Sequence, residues 1–418
     1  MLSLTVSALI SMVVNVEVYT TPGCRYCSRA KGFLKKRGVE YEEKDVSVSS
    51  QLLDEMVSRA NCATMPQIFV AGEHIGGCTD MLAEHEQGLL APRLAAAGIE
   101  MLDIPDEPAE SGISGAAAQQ FKKGRSGGVL NTPIFGTASQ PPADAAAAAA
   151  LSTAMQRQML TLLDDFALDD GSGADLAKLR ASGGFAALLD LAGTLCALPI
   201  SDVLGPSAPL SERKAFWLNL YNVLVLHSTA VFGAPQDAEA RGNYFSGRSG
   251  AAYTVGGLTF CLDDIEHGVL RGNAPTVGGA TLFAADDARL AYALPPPLDP
   301  RIHFALNCGA RSCPPIKVYS AARLDEELEL ATRAFLEEDL SPDVPAGVLT
   351  CTKLLDWYGG DFGADEQARV ARLCELLPTA AGTLKTALEE LAAAPQGPTL
   401  VYKPYDWGSD VDAEAATA

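Results

Sequence analysis

Thr20-Thr21-Pro22-Gly23-Cys24-Arg25-Tyr26-Cys27 decides how the first part of this chain folds. Before it, Val14-Asn15-Val16-Glu17-Val18-Tyr19 alternates apolar and polar and is rich in β-branched residues, which predicts a strand. After it, Ser28-Arg29-Ala30-Lys31-Gly32-Phe33-Leu34-Lys35-Lys36-Arg37 is apolar at helical spacing and closes on Gly38, a residue suited to a C-cap. The cysteines are therefore expected at a strand-to-helix turn, with Cys24 at or near the helix N-terminus. Unpaired N–H groups and the helix dipole favour an anion there, and a thiolate is such an anion. Arg25 adds positive charge beside it. Only two residues separate the sulfurs, so Cys27 can resolve a mixed disulfide formed on Cys24.

Other readings of the pair are weaker. Half a zinc site would need partners, for which His74 and Cys78 offer a His-x3-Cys spacing. A structural disulfide does not suit a chain without a secretion signal. Further on, Thr64-Met65-Pro66-Gln67-Ile68-Phe69-Val70 predicts a strand entered from a proline. A cis bond at that proline would turn the preceding backbone outward to bind an extended thiol peptide. Gly76-Gly77 then allows a close turn into a helix capped by Thr79 or Asp80.

Over residues 12–98 these pieces resemble the glutaredoxin family. The match is carried by Val16-Glu17-Val18-Tyr19-Thr20, Cys24-Arg25-Tyr26-Cys27, Arg29-Ala30-Lys31, Thr64-Met65-Pro66-Gln67-Ile68-Phe69 and His74-Ile75-Gly76-Gly77-Cys78-Thr79-Asp80. The resemblance implies a thioredoxin-like fold, Cys24 as nucleophile and Cys27 as resolving thiol, with glutathione as reductant. It further implies that glutathione lies along Thr64, Met65 and Pro66, near Arg25 and Tyr26, with its amino-acid end at Cys78, Thr79 and Asp80. Two positions depart from the family: Arg25 replaces the usual Pro, and Thr21 the usual Lys. Members lacking the Pro sometimes hold an iron–sulfur cluster between two subunits, so a [2Fe–2S] cluster stays open as an alternative. The rival function is then a cluster-binding or scaffold protein.

The chain has 418 residues, enough for two or three domains. Lys and Arg total 31 against 52 Asp and Glu, a net charge of −21, which argues against a nucleic-acid or anionic-membrane surface. Ten irregularly spaced cysteines suggest reduced thiols and a reducing compartment, so a cytoplasmic location is expected. Residues 1–14 are apolar without Lys or Arg and merge into the first strand; Met12 is a candidate start, with residues 1–11 an upstream extension, and organellar targeting by residues 1–11 is an alternative. No stretch reads as a membrane span. The expected partners are glutathione and disulfide-containing or glutathionylated proteins, with no metal ion assigned.

Residues 99–150 turn rich in Gly, Ser, Pro and Ala and read as a flexible linker; its Lys122-Lys123-Gly124-Arg125 run fits a solvated tether better than a basic patch. Residues 151–408 are expected to form a larger mixed α+β domain rich in helices, and 409–418 a disordered acidic tail. Within that domain, residues 211–227 are apolar nearly all round and predict a buried helix, on which Asn219 and Asn222 must be hydrogen-bonded. Residues 253–261 predict a hairpin. Asp263 to Glu266 resembles a capping box opening a short helix, with His267 and Arg271 one turn apart. Residues 301–307 predict a strand, Ile302, Phe304 and Leu306 on one face and His303 and Asn307 on the other, ending at Cys308.

Residues 200–340 resemble a family catalogued as domain of unknown function family 547. The matching pieces are Phe216-Trp217-Leu218-Asn219-Leu220-Tyr221-Asn222, Asp264-Ile265-Glu266-His267-Gly268-Val269-Leu270-Arg271 and the run from His303 to Pro314, with Tyr402-Lys403-Pro404-Tyr405-Asp406-Trp407 as a closing segment. This resemblance implies no chemistry. The residues themselves offer a possible second site: Asn219, Asn222, His267, Arg271, His303, Cys308 and Cys313. They could supply a cysteine nucleophile, expected at Cys308, with a histidine base. A metal site from His303, Cys308 and Cys313, or a structural core with reduced thiols, are the alternatives.

Overall fold

The computed structural model describes residues 15–21, 24–102, 129–131, 141–168, 173–235, 237–247, 251–378 and 381–409. The readings of residues 1–11, of the 122–128 run and of the tail beyond 409 lie outside these. The chain divides into two compact units, Met1–Pro108 and Ala109–Ala418.

The first unit runs β1 (Val16–Thr20), α1 (Arg25–Lys36), β2 (Glu42–Asp45), α2 (Ser50–Ala60), β3 (Gln67–Val70), β4 (Glu73–Gly76), α3 (Cys78–Glu86) and α4 (Leu90–Ala96). Its sheet has the order β2-β1-β3-β4, with β1 parallel to β2 and antiparallel to β3, and β3 antiparallel to β4. Alternation along β1 explains the layering. Val16 and Val18 pack with Ile68, Val70, Ala30, Leu34 and Met81, while Tyr19 faces the other way onto Phe69 and Met56. Helices thus cover both faces of the sheet, as a thioredoxin-like fold requires.

The second unit is helix-rich and mixed. Its centre is the helix Leu210–Phe232, on which every residue from Ala215 to Ala230 is buried. Among the described residues this helix alone is long and apolar enough to cross a membrane, and 89% of its apolar window is buried inside the unit. The helix Ala145–Asp165 packs along it, through Met155, Met159 and Leu160. A hairpin pairs Ala252–Val255 with Leu258–Cys261, and a second core gathers Leu336, Leu349, Leu355, Phe362, Leu373 and Leu388. That core includes a three-stranded sheet, Ser341–Asp343, Val348–Cys351 and Thr399–Tyr402, which the sequence reading lacked.

Two expectations are corrected here. The linker expected over 99–150 does not run through to 150, because the Asp144 carboxylate accepts from Ala147 N–H and starts the helix at Ala145. It is also pinned midway: Asn131 is buried, and its amide bonds Ala192 O (3.0 Å) and Thr254 O (2.8 Å). The strand expected over 301–307 is a short 3-10 helix, Pro300–Phe304. Asp299 caps it and Pro300 presets its first turn, so local capping overrides the alternating pattern.

Candidate functional site

In the first unit, Cys24 is the N-cap of α1, and its sulfur accepts the Cys27 N–H at 3.2 Å. It is joined to Cys27 in a disulfide spanning 5.1 Å between Cα atoms. Cys27 is sealed in, whereas Cys24 keeps slightly more exposure, 5% against 1%. The Cys24 sulfur lies 3.6 Å from the Met65 carbonyl oxygen, and the Met65–Pro66 bond is cis. The loop before that bond is held by Gln67, whose Nε2 donates to Thr64 O and Thr64 Oγ1, both at 3.0 Å. The dithiol turn and the proline loop therefore face each other. The side chain of Arg25 lies outside the described residues; Tyr26 is half-buried against the core.

The cap of α3 differs from expectation. Gly77 is the N-cap, and Asp80, three residues later, accepts its N–H at 2.8 Å. Gly76 makes this possible: its φ is +100°, and a β-carbon there would overlap the Asp80 carboxylate. Thr79 and Asp80 are exposed beside the proline loop's own element, β3–β4. Cys78 is buried among Met81 and Ile75, and burial pushes its thiol up to about 11.

The second unit contains a cavity of about 250 Å³ lined by Tyr221, Glu266, His267, His303, Cys308, Cys313, Tyr358 and Tyr405 among others. Four of the seven residues singled out in the sequence thus converge. Asn219 and Asn222 do not line it. Their amides tie loops to the central helix: Asn219 exchanges hydrogen bonds with the Tyr319 backbone (2.7 and 2.9 Å), and Asn222 with Ala305 O and Asn307 N (both 3.0 Å). Arg271 stands behind the histidines. It forms a bidentate pair with Asp361 (2.7 and 2.8 Å) and donates to His267 Nδ1 at 2.9 Å.

His303 stacks on Tyr358 at 4.2 Å and donates from Nε2 to Asp361 at 2.8 Å. Burial would raise the Asp361 carboxyl, but the His303 and Arg271 hydrogen bonds outweigh it and hold it at about 2. Glu266 accepts from Tyr358 (2.6 Å) and Tyr221 (3.0 Å). Burial lowers the basicity of His267, Glu266 restores part of it, and Arg271 lowers it again, so the imidazole titrates below its usual range. His267 and Glu266 sit on a π-helical turn, Asp264–Leu270; the expected Asp263–Glu266 capping box is absent, since the Asp263 side chain makes no cap hydrogen bond and the Glu266 carboxylate is taken by Tyr221 and Tyr358.

The expected cysteine–histidine pairing is not what the cavity holds. Cys308 and Cys313 bond each other, their sulfurs 2.9 Å apart, and both bond the Tyr405 hydroxyl, at 3.6 and 3.2 Å. Cys308 N–H also donates to Cys313 Sγ at 3.1 Å. Among the described residues no group of His, Cys, Asp or Glu is arranged to hold a metal. Tyr405, Tyr358, Asp361 and Glu266 were missed as site residues. Tyr405 and Glu266 stand inside quoted motifs, and Asp361 follows the Gly359-Gly360 break, a turn that delivers a carboxylate to a buried face.

A dithiol capping a helix against a cis-proline loop, on a four-stranded sheet covered by helices, defines the first unit as a thioredoxin-fold thiol oxidoreductase. The comparisons with known proteins narrow this. The glutaredoxin family model matches residues 16–75, and the model for "Protein of unknown function, DUF547" matches residues 207–336. Glutaredoxin 3 of Escherichia coli K12 is 42% identical over 82 residues, 20% of this chain and 99% of that protein. A glutaredoxin of Pseudomonas aeruginosa is 38% identical over 81 residues, 19% of this chain and 96% of that protein. Among solved structures, glutaredoxin from Brucella melitensis is 44% identical and a buckwheat glutaredoxin–glutathione complex 28% identical. They cover 20% and 21% of this chain and 91% and 81% of theirs, with TM-scores of 0.19 and 0.20. The chain belongs to the glutaredoxin family through its first unit, fused to a region of the DUF547 family, and its first unit has a thiol redox function.

Proposed function

We propose that the first unit is a glutathione-dependent disulfide oxidoreductase acting on glutathionylated or disulfide-containing proteins. The observation that carries this reading is the position of Cys24: at a helix N-cap, its sulfur bonded by Cys27 N–H and facing the carbonyl of Met65 across a cis-proline loop. Once the disulfide is reduced, that N–H and the helix terminus favour the Cys24 thiolate. Cys24 attacks the mixed disulfide, the client leaves as a thiol, and either Cys27 or a second glutathione releases the glutathionyl group. Glutathione then runs along Thr64, Met65 and Pro66 beside Arg25 and Tyr26. Its amino-acid end meets Thr79, Asp80 and the Cys78 backbone at the start of α3. The eight free cysteines elsewhere fit a reducing compartment such as the cytoplasm.

The test is the reduction of a glutathionylated client by glutathione. Cys24→Ser should abolish it, and Cys27→Ser should leave much of it, because a second glutathione replaces the resolving thiol but nothing replaces the attacking sulfur. Equal loss in both variants would overturn the assignment.

A further inference from the structure

We propose that Cys313 and Cys308 form a second thiol–disulfide exchange site, Cys313 attacking and Cys308 resolving, on small or peptide disulfides that carry no anionic group near the sulfur. The two sulfurs are 2.9 Å apart in the wall of the cavity, and the loop that bears them is tightly determined. Asn222 bonds Asn307 N–H; Asn307 in turn accepts from Gly309 N–H (2.7 Å) and donates to Pro314 O (2.8 Å). Gly309 turns at φ +87° between them. From outside, the C-terminal segment clamps the loop through Arg311 N–H to Gly408 O (2.8 Å) and Asp406 N–H to Ser312 Oγ (2.8 Å). The same segment brings Tyr405 to both sulfurs.

The two sulfurs are not equivalent. Cys313 receives the Cys308 N–H and the Tyr405 hydroxyl in addition to the Cys308 thiol. Burial pushes its thiol up, and these hydrogen bonds outweigh that, so it loses its proton more readily than an ordinary thiol. Cys308, which keeps its proton and donates it in a hydrogen bond to Cys313, is held well above the usual range. This is the asymmetry of an attacking and a resolving cysteine, and it reverses the sequence-based choice of Cys308 as nucleophile. The histidines do not serve the sulfurs, since His303 is committed to Asp361 and His267 to Arg271.

The substrate class follows from the walls. Trp357, Tyr405 and Trp407 form an aromatic cluster with ring centroids 4.6–5.5 Å apart, and Asp263 and Glu266 supply negative charge. At about 250 Å³ the cavity is smaller than the roughly 300–1,000 Å³ usual for whole ligands. It suits one apolar or uncharged half of a disulfide. The Cys313 thiolate attacks one substrate sulfur, forming a mixed disulfide; the other half leaves as a thiolate and takes the Cys308 proton. Cys308 then attacks the Cys313 sulfur, forming the Cys308–Cys313 disulfide and releasing the second half, protonated from solvent. The substrate gains two electrons and two protons: both electrons and the Cys308 proton come from the chain, and the second proton comes from solvent. A dithiol reductant returns the pair to its starting state.

The experiment uses the full chain with Cys24→Ser and Cys27→Ser, so its outcome is independent of the function proposed for the first unit. Equilibration in oxidised and reduced dithiothreitol, acid trapping and peptide mapping should show Cys308 and Cys313 passing together between dithiol and disulfide. Cys62, Cys78, Cys196, Cys261, Cys351 and Cys374 should stay thiols. In the reduced protein, limiting iodoacetamide should label Cys313 at least about tenfold faster than Cys308. With dithiothreitol as reductant, bis(2-hydroxyethyl) disulfide should be turned over, and an added Cys313→Ser should cut the rate by about tenfold or more. A pair that stays reduced in fully oxidised dithiothreitol, or equal labelling of both sulfurs, would overturn the proposal even if Cys313→Ser failed to fold.

Discussion

Asp361 accepts a hydrogen bond from His303 Nε2 at 2.8 Å while its carboxylate pairs through both oxygens with Arg271. The carboxylate is 10% exposed, so removing its charge leaves a buried guanidinium without its counter-ion.

Asp361→Asn should destabilise the second unit by about 3–5 kcal/mol, the cost of breaking a buried pair from one side. All three tryptophans (Trp217, Trp357 and Trp407) lie in that unit, so urea unfolding followed by tryptophan fluorescence isolates it. The acid behaviour has a definite sign. With a folded value of about 2 against an ordinary 3.8, Asp361 stabilises fully above 3.8, and the contribution fades as pH falls toward 2. The gap between wild type and Asp361→Asn should narrow over that window; a gap independent of pH would refute the ion-pair account.

Asp263, in the cavity wall, behaves oppositely. Burial, then Glu266 and Asp264, push its carboxyl up to about 6. The folded chain holds that proton longer than the unfolded chain, so this group favours folding less as pH rises from 3.8 through 6. Asp263→Asn should match wild type near pH 3.5 and exceed it by about 1–2 kcal/mol at pH 7.5, in the same fluorescence assay. A variant less stable than wild type at pH 7.5 would mean that the carboxylate is bonded rather than merely desolvated.

In the first unit, Glu17 on β1 accepts from Arg59 (2.8 and 2.9 Å) and Lys44 (2.5 Å). The Arg59 hydrogen bond is the leading cause that holds it at about 2, against burial and with help from Lys44. Its contribution is complete above 4.5 and is lost as pH falls through about 2. Glu17→Gln should therefore cost about 2–3 kcal/mol at neutral pH and almost nothing at pH 2. Calorimetry of the intact chain reads this in the transition that tryptophan fluorescence does not follow. A loss that persisted at pH 2 would point to packing instead.

The first unit was legible because its signals are local. β-Branched alternation, Cys-x-x-Cys, a proline before a strand and a Gly-Gly turn each act within a few residues. What escaped was the N-cap of α3, which is Gly77: Gly76 leaves room for the Asp80 carboxylate, which reaches back to the Gly77 N–H. In the second unit, the buried helix and the need to satisfy Asn219 and Asn222 followed from composition alone. The site did not, because its chemistry depends on distant partners. Asp361 stands 58 residues from His303 and 90 from Arg271, and Tyr405 stands 92 from Cys313. No periodicity encodes such pairings. The 3-10 turn at Pro300–Phe304 was misjudged because Ile302, Phe304 and Leu306 alternate like a strand while Asp299 and Pro300 impose a helical start.

The cavity occupies the seam between the two cores of the second unit, and Asp361 crosses that seam like a rivet. Phe362, its neighbour, belongs to one core, and Leu270, beside Arg271, belongs to the other. Separating the two halves means pulling a carboxylate out of a guanidinium and an imidazole at once. Opening the floor of the cavity, around Tyr221 and His303, should therefore require that separation, whereas opening at the Trp407 rim should not. Amide hydrogens on the Gly359–Phe362 turn should exchange on the clock of that separation, while those of the rim exchange on their own.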